Sequence, residues 1–286
     1  MVATVDMMVE DVDFRLTTAS FEDIGHKALA VNLSDLAAMG AEPVAALVAL
    51  GIPGHVTHED VLRMYAAMET LAAASGTTIA GGDISSAPVL TIAITAIGRI
   101  PDRRSAVVRS SARVGDGIFV TGPIGGSAAG LAILEGHVPA SLTPHADALT
   151  AAHRRPHPRL AEGVRLAEAG IHAMLDCSDG LCLDTRRLAS ASGVRIELDL
   201  DAVPLAAGVQ EVAAALNQDP AIFAATGGED FELIVSAPDN LCAGLIRIGS
   251  VVDGPAGLVL RRDGQDIELQ TLGFVHDVAR PIVKGV

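Results

Sequence analysis

The chain has no tryptophan, a single tyrosine (Tyr65) and only six phenylalanines in 286 residues. Its core must therefore be assembled from Ala, Val, Leu and Ile, each gaining less on burial than an aromatic ring would. Cysteine is nearly as scarce. Cys177, Cys182 and Cys242 are odd in number and lack metal-ligand spacing, which fits a reducing cytoplasm. Long apolar runs are missing too: the most apolar stretch, Pro43 to Pro53, falls far short of the ~20 residues of a spanning helix. Residues 1–13 hold four acids and no base, which argues against a signal peptide. Bases are few overall, 20 Lys and Arg against 35 Asp and Glu, for a formal charge of −15. That balance speaks against nucleic-acid binding, whose footprint is a basic surface. It does not speak against ATP, which arrives with magnesium, and clustered carboxylates attract that metal.

What the chain does have is aspartate in four short motifs: Thr4-Val5-Asp6-Met7, Asn32-Leu33-Ser34-Asp35, Gly81-Gly82-Asp83 and Asp176-Cys177-Ser178-Asp179-Gly180. Each sets a carboxylate beside Gly, Ser, Thr or Asn in apolar surroundings, where it needs a cation or hydrogen-bond donors. Hard cations beside glycine-rich turns point to phosphate and hence to a nucleotide.

The length suits two cores, and the pattern of elements suits an α/β or α+β fold in two domains. Ser20 with Asp23, and Thr57 with Asp60, are capping-box starts that predict helices over Ile24–Met39 and Val61–Ala74, the second closed by Gly76. Thr77–Ala80 and Val89–Ile97 read as strands, with Gly81-Gly82-Asp83 in their connection. The polar, basic stretch Arg99–Gly115 reads as a junction, which divides the chain into 1–108 and 109–286. Beyond it come a strand at Gly117–Thr121, a helix through about Glu135, and a loop with some irregular helix over Gly136–Pro158. Helices at Arg159–Ala169 and Leu181–Ala191 follow, with strands at His172–Leu175, Val194–Leu198, Phe231–Ser236 and Ile246–Val252. A hairpin turns at Asp263-Gly264.

Each motif has a plainer reading as well. Asn32 and Asp35 share one stripe of their helix, as a solvent face or as an interior metal site. Gly81-Gly82-Asp83 is a turn, or a place where backbone meets phosphate. Ser178 or Asp179 could cap the next helix, whereas Asp176 and Asp179 on one turn could bind one magnesium or two. Gly122-Pro123-Ile124-Gly125-Gly126 precedes a helix but lacks the Gly-Lys-Ser/Thr ending of a Walker loop, so it reads as a tight strand–helix turn. Thr226-Gly227-Gly228-Glu229-Asp230-Phe231-Glu232 is a loop-to-strand turn or an acidic seat for a cationic substrate. Tyr65 lies at core spacing with Val61, Leu62, Met68 and Leu71, or stacks on an adenine.

Together these segments resemble the thiamine-monophosphate kinase family, in the superfamily of aminoimidazole ribonucleotide synthetase. The similarity runs nearly the whole length. It is carried by residues 6–14, by 27–41 ending in Met39-Gly40-Ala41, by Gly81-Gly82-Asp83, by 176–181 and by 227–233. The resemblance implies transfer of the γ-phosphoryl group of ATP to thiamine monophosphate, with several magnesium ions held among Asp6, Asp35, Asp83, Asp176 and Asp179. It aligns Tyr65, Gly82, Asp83, Arg109 and Ser178 with the nucleotide, and Asp13 and Glu229 with the substrate. It names no general base, because a phosphate oxygen is already a competent nucleophile. It also implies a homodimer, in which the N-terminal α/β domain joins its partner's strands in a barrel beside a C-terminal α/β domain. The chain departs from the family in two ways. An upstream Gly-Asp-Asp segment has no counterpart before Asp6, so the expectation is either a truncated or misassigned start or a partly lost metal site. Asp13 stands where the family commonly has His. Other readings are a different ATP-dependent synthetase of the superfamily and a non-catalytic nucleotide-binding dimerisation module.

Overall fold

The structure, a computed structural model, describes residues 1–275. Its N-terminal part comprises β1 (Val2–Val9), α1 (Phe21–Ala38), β2 (Glu42–Ile52), α2 (His58–Ser75), β3 (Thr78–Ser86) and β4 (Thr91–Arg99). The strands form one sheet in the order β1-β4-β2-β3, antiparallel except where α2 links β2 to its parallel neighbour β3. Both capping boxes are present, and Gly76 ends α2 in the left-handed conformation. Ile24, Leu29, Leu33 and Leu36 of α1 and Met64 and Met68 of α2 cover Val48, Leu50, Ile92 and Ile94 on one face of the sheet. The other face is bare: Val5, Met7 and Leu47 are exposed there.

The C-terminal part runs β5 (Gly117–Val120), α3 (Gly126–Leu134), α4 (Ala146–Arg154), α5 (Leu160–Glu168), β6 (Ala173–Asp176), α6 (Leu181–Ser192), β7 (Arg195–Asp199), α7 (Val209–Ala215), α8 (Pro220–Thr226), β8 (Leu233–Ala237), β9 (Ile246–Val252), β10 (Gly257–Arg262) and β11 (Gln265–Ile267). Its seven strands follow the order β11-β10-β7-β9-β5-β8-β6, and only β7 and β10 pair in parallel. The α+β class and the two-domain organisation hold.

α1 joins the two parts. Its Ala37 and Ala38 pack with Leu166 and Ala167 of α5, Met174 of β6 and Val235 of β8. Gly163 of α5 lies so close that a Cβ there would overlap the Ala37 carbonyl. β6 is an edge strand, yet all four of its residues are buried, because α1 packs against it. A helix with 13 of its 18 residues buried has no solvent stripe. The solvent-face reading of Asn32 and Asp35 is thereby overturned.

Several sequence expectations need correction. Gly81-Gly82-Asp83 is not a connection; it lies within β3, where a bulge between Ala46 and Leu47 of β2 absorbs an extra residue. The strand expected from Val89 begins at Thr91. That expected from Phe231 begins at Leu233, because Glu229 and Phe231 have φ of 65° and 52° and cannot be extended. Within Gly136–Pro158, expected as a loop with some irregular helix, α4 forms a regular helix by burying Ala146, Leu149 and His153 on one face. The Asp263-Gly264 hairpin is present with both residues at positive φ, as a two-residue loop requires.

Candidate functional site

α1 supplies one side of the site. Lys27, Val31 and Asp35 recur every four residues along one stripe, with Ser34 beside them. Thr4 Oγ1 of β1 donates to Asp35 Oδ2. The Asp6 amide donates to Asn32 Oδ1 at 3.0 Å, and Asn32 Nδ2 donates to the Ala28 carbonyl at 3.0 Å. Asn32 is fully buried, and its amide registers β1 against α1. Ser34 Oγ donates to Asp176 Oδ2 at 2.6 Å, a bond from the N-terminal domain to the last residue of β6.

The loop after β6 supplies the other side. Asp184, in the first turn of α6, reaches back so that its Oδ2 accepts the amides of Ser178, Asp179 and Gly180 at 3.1, 2.9 and 3.2 Å. Arg187 pairs with Asp179 and, at 2.7 Å, with Asp184. Neither Ser178 nor Asp179 caps α6; Gly180 holds that position without a side-chain bond. The capping alternative fails, because Asp184 turns the loop amides inward and leaves Ser178 and Asp179 at the surface of a cleft.

That cleft between the domains has a volume of about 740 Å³, and its lining includes Asp6, Asp13, Ser178, Asp179, Glu229 and Phe274. Asp35 and Asp176 stand just behind Asp6. Burial raises the Asp6 carboxyl, with Asp35, Asp13 and Asp179 adding to the shift, although Asp6 stays open to solvent on one side. Burial likewise raises Asp35, against the Thr4 hydroxyl and the Arg109 guanidinium. Asp176 is raised by burial and then by the charge of Asp35. Such crowded carboxylates share a proton or a cation.

Across the cleft, the acidic run after α8 divides its labour. The Glu229 amide donates to the Ser178 carbonyl at 2.7 Å, which joins the two C-terminal loops. Its Oε1 lies 2.7 Å from Lys27 Nζ and its Oε2 lies 3.2 Å from His153 Nδ1. His153 is buried; desolvation, then the Lys27 charge, pushes its pKa down to about 4, so it is neutral at pH 7. Asp230 accepts the Gly125 and Ser127 amides at 2.7 and 3.1 Å, and burial pushes it up to about 7. The amides at the N-terminus of α3 therefore bind a carboxylate, consistent with a tight strand–helix turn rather than a phosphate loop. Glu232 is buried against Thr121 Oγ1 at 2.6 Å and Arg159. Of the three acids, Glu229 alone belongs to the cleft lining.

Of the remaining expected site residues, Asp13 alone lines the cleft. Asp13 Oδ2 accepts the Val9 amide at 2.8 Å and closes the turn after β1 while lining the cleft. Tyr65 is half-buried at the edge of the N-terminal core, and burial raises its hydroxyl. Gly82 meets β2 so closely that a Cβ would overlap the Val48 carbonyl. Asp83 is exposed and pairs in register with Ala49, on the bare face of the sheet, away from α1. Arg109 is exposed, with its charge felt at Asp35. Asp6, Asp35, Asp176 and Asp179 thus come together, and Asp83 does not join them within one chain. Among the described residues no group of three His, Cys, Asp or Glu side chains is arranged to hold a metal ion alone. Lys27, His153 and Asp184 stand outside the sequence expectations, and Asn32 and Ser34, expected only as parts of the Asn32–Asp35 motif, prove to bond Asp6 and Asp176. A lone lysine eight residues before Asp35, on the same stripe, was a signal that could have been used.

Family models for the AIR synthase related protein match the chain, the N-terminal domain over residues 1–100 and the C-terminal domain over 113–259. The thiamine-monophosphate kinase of Bacillus subtilis (strain 168) is 37% identical over 289 residues, covering 96% of this chain and 87% of that relative. The structure of AaThiL complexed with AMPPCP and TMP superposes with a TM-score of 0.86 at 30% identity, covering 96% of this chain and 86% of that one. The thiamine monophosphate kinase of Aquifex aeolicus gives a TM-score of 0.83 at 31% identity, over 93% and 89%.

Proposed function

Since the chain belongs to the thiamine-monophosphate kinase family within the AIR synthase related proteins, we propose that it transfers the γ-phosphoryl group of ATP to the phosphate of thiamine monophosphate. The products are thiamine diphosphate and ADP, a step in thiamine diphosphate biosynthesis. The observation that carries this reading is the gathering of Asp6, Asp35, Asp176 and Asp179 from both domains at a cleft whose other wall holds Glu229. A relative solved with AMPPCP, an ATP analogue, and TMP supports it.

Two anionic phosphates repel, so transfer depends on positioning and charge screening rather than on a base. The chemistry of the donor set fits magnesium: the oxygens are hard, and Asp6, Asp35 and Asp176 are crowded until their carboxyls are raised. Magnesium takes one or two protein carboxylates together with water and phosphate, so a preformed cage is unnecessary. Asp6, Asp35, Asp176 and Asp179 would hold it, and bound there it would supply the positive charge that screens the phosphates of both substrates. Ser34 steadies Asp176, Asn32 sets the backbone of Asp6, and Asp184 fixes the loop that presents Ser178 and Asp179. Asp13 and Glu229 face thiamine monophosphate. Tyr65, Gly82, Arg109 and Ser178 serve the nucleotide, with 1–108 as the nucleotide and dimerisation domain and 109–286 as the second domain.

The bare face with Val5, Met7 and Leu47, and the nine-residue edge strand β3, support a homodimer built through the N-terminal sheet. Asp83 on that face would then act in a site completed by the second subunit. The three free cysteines support a cytoplasmic setting, and among the described residues no helix is long and apolar enough to cross a membrane. The test is direct. Incubation with ATP, thiamine monophosphate and magnesium is expected to give ADP and thiamine diphosphate in equal amounts. ADP without thiamine diphosphate, or neither product, refutes the proposal.

A further inference from the structure

Glu229 looks at first like a counter-charge for the thiazolium cation of thiamine monophosphate. Its surroundings argue otherwise. Lys27 comes from the other domain, is only 4% exposed, and holds its ammonium 2.7 Å from Glu229 Oε1. That approach is off the hydrogen-bond direction, so the pair is held by charge. His153, the other neighbour, lies 3.2 Å from Oε2 and 3.0 Å from Ser127 Oγ. An ammonium at contact distance cancels most of the field of a carboxylate a few ångströms away. What Glu229 still offers the cleft, with its side chain 32% exposed, is lone-pair density. Its backbone stands at φ 65°, fixed by the amide bond to Ser178, so the side chain projects from a set position.

Resting on the kinase reading above, we propose that Lys27 is a positioning residue that neutralises and orients Glu229, so that Glu229 selects its substrate as a hydrogen-bond acceptor. The group it selects is a donor at the end of the acceptor molecule remote from the phosphate. In thiamine monophosphate that donor is the amino group of the pyrimidine. α1 sets the separation: Lys27 and Asp35 are eight residues apart on one stripe, about 12 Å along the helix axis. A molecule whose polar head meets Glu229 while its phosphate meets the acidic cluster must bridge a gap of that order. A short monophosphate cannot do both.

The experiment compares three acceptors: thiamine monophosphate, its neutral isostere with thiophene in place of thiazolium, and the analogue with oxygen in place of the pyrimidine amino group. KM for each is measured at saturating ATP in wild type, E229A and K27M, with thermal melting to confirm folding. In wild type the oxygen analogue is expected to show a KM raised tenfold or more, since Glu229 is left facing another acceptor. In E229A that discrimination falls to near unity, while the ratio between the neutral isostere and thiamine monophosphate is unchanged. In K27M the bared carboxylate becomes a counter-charge, and the preference for the cation over its neutral isostere rises several-fold. KM for ATP is unchanged in both variants, which a general loss of structure would not allow. If E229A instead abolishes discrimination against the neutral isostere, or alters neither ratio, the proposal is overturned. Wild type that turns over none of the three refutes the kinase reading, and calorimetric titration with the same molecules then decides the role of Glu229. Should K27M fail to fold, the wild-type and E229A series decides alone.

Discussion

Acidification should weaken this protein through His153, by an amount that follows from its burial. The imidazole ordinarily binds a proton at pH 6.5, and in the folded chain it resists until about 4. A base whose folded pKa is depressed contributes stability that is complete above 6.5 and is lost as pH falls toward 4. Each pH unit in that window removes ~1.4 kcal/mol, so the loss reaches ~2 kcal/mol by about pH 5 and approaches ~3 kcal/mol near pH 4. Asp230 works in the opposite sense. Its carboxyl is raised to about 7, so its contribution is complete below 3.8 and is lost as pH rises through 7. The clean quantity is therefore the difference between wild type and His153→Gln, which keeps a polar partner for Ser127 and removes the titration. Two domains need not unfold together, so the urea midpoint of the transition that exposes His153 should be followed with the ring-proton resonance of the imidazole. The variant is expected to hold its midpoint between pH 7 and 5 better than wild type by the equivalent of ~2 kcal/mol. A resonance titrating near 6.5, or identical pH profiles in the two proteins, refutes the argument from burial.

Asp179→Asn should lower kcat by about 100-fold or more, because it removes a charge directed at the phosphates, while its melting temperature changes little. Asp83→Asn is exposed and should shift stability by no more than ~0.5 kcal/mol; loss of ATP affinity, read by calorimetry, would tie the open face to the nucleotide. Gly163→Ala forces α5 away from the Ala37 carbonyl and should cost about 1–3 kcal/mol; the Ser34–Asp176 bond is strained with it, so kcat is expected to fall while KM for thiamine monophosphate holds. Leu47→Asp places a charge on the bare face and should shift sedimentation velocity from dimer to monomer; an unchanged dimer would show that the subunits meet elsewhere.

The elements legible in the sequence were those with local signals. The two capping boxes located α1 and α2 within a few residues, since Ser20 and Thr57 bond their own first turns and need no distant partner. α4 was legible only as irregular helix within a loop, because its stability comes from burying Leu149 and His153 against other elements, which composition cannot reveal. β3 was cut short at Gly81 because glycine reads as a turn, while here Gly82 is small so that β2 can approach. The acidic motifs were legible as a set, for carboxylates in apolar sequence need a reason. Their division was not. Asp184 as the organiser of the 178–180 amides, and Lys27 as the partner of Glu229, arise from contacts across a turn and across two domains. Asp83 was grouped with the other aspartates by motif, and only the strand register places it on the opposite face.

α1 carries Lys27, Asn32, Ser34 and Asp35 within nine positions, each engaged with a different element, and it is walled in on nearly every side. One inserted or deleted residue inside that span would turn everything beyond it by about 100°. The lysine and the aspartate would then face different neighbours, and no sliding of the helix could restore both. An insertion or deletion there is therefore expected to disrupt the site whatever residue it adds or removes. The span from Lys27 to Asp35 can change its side chains, but it cannot change its count.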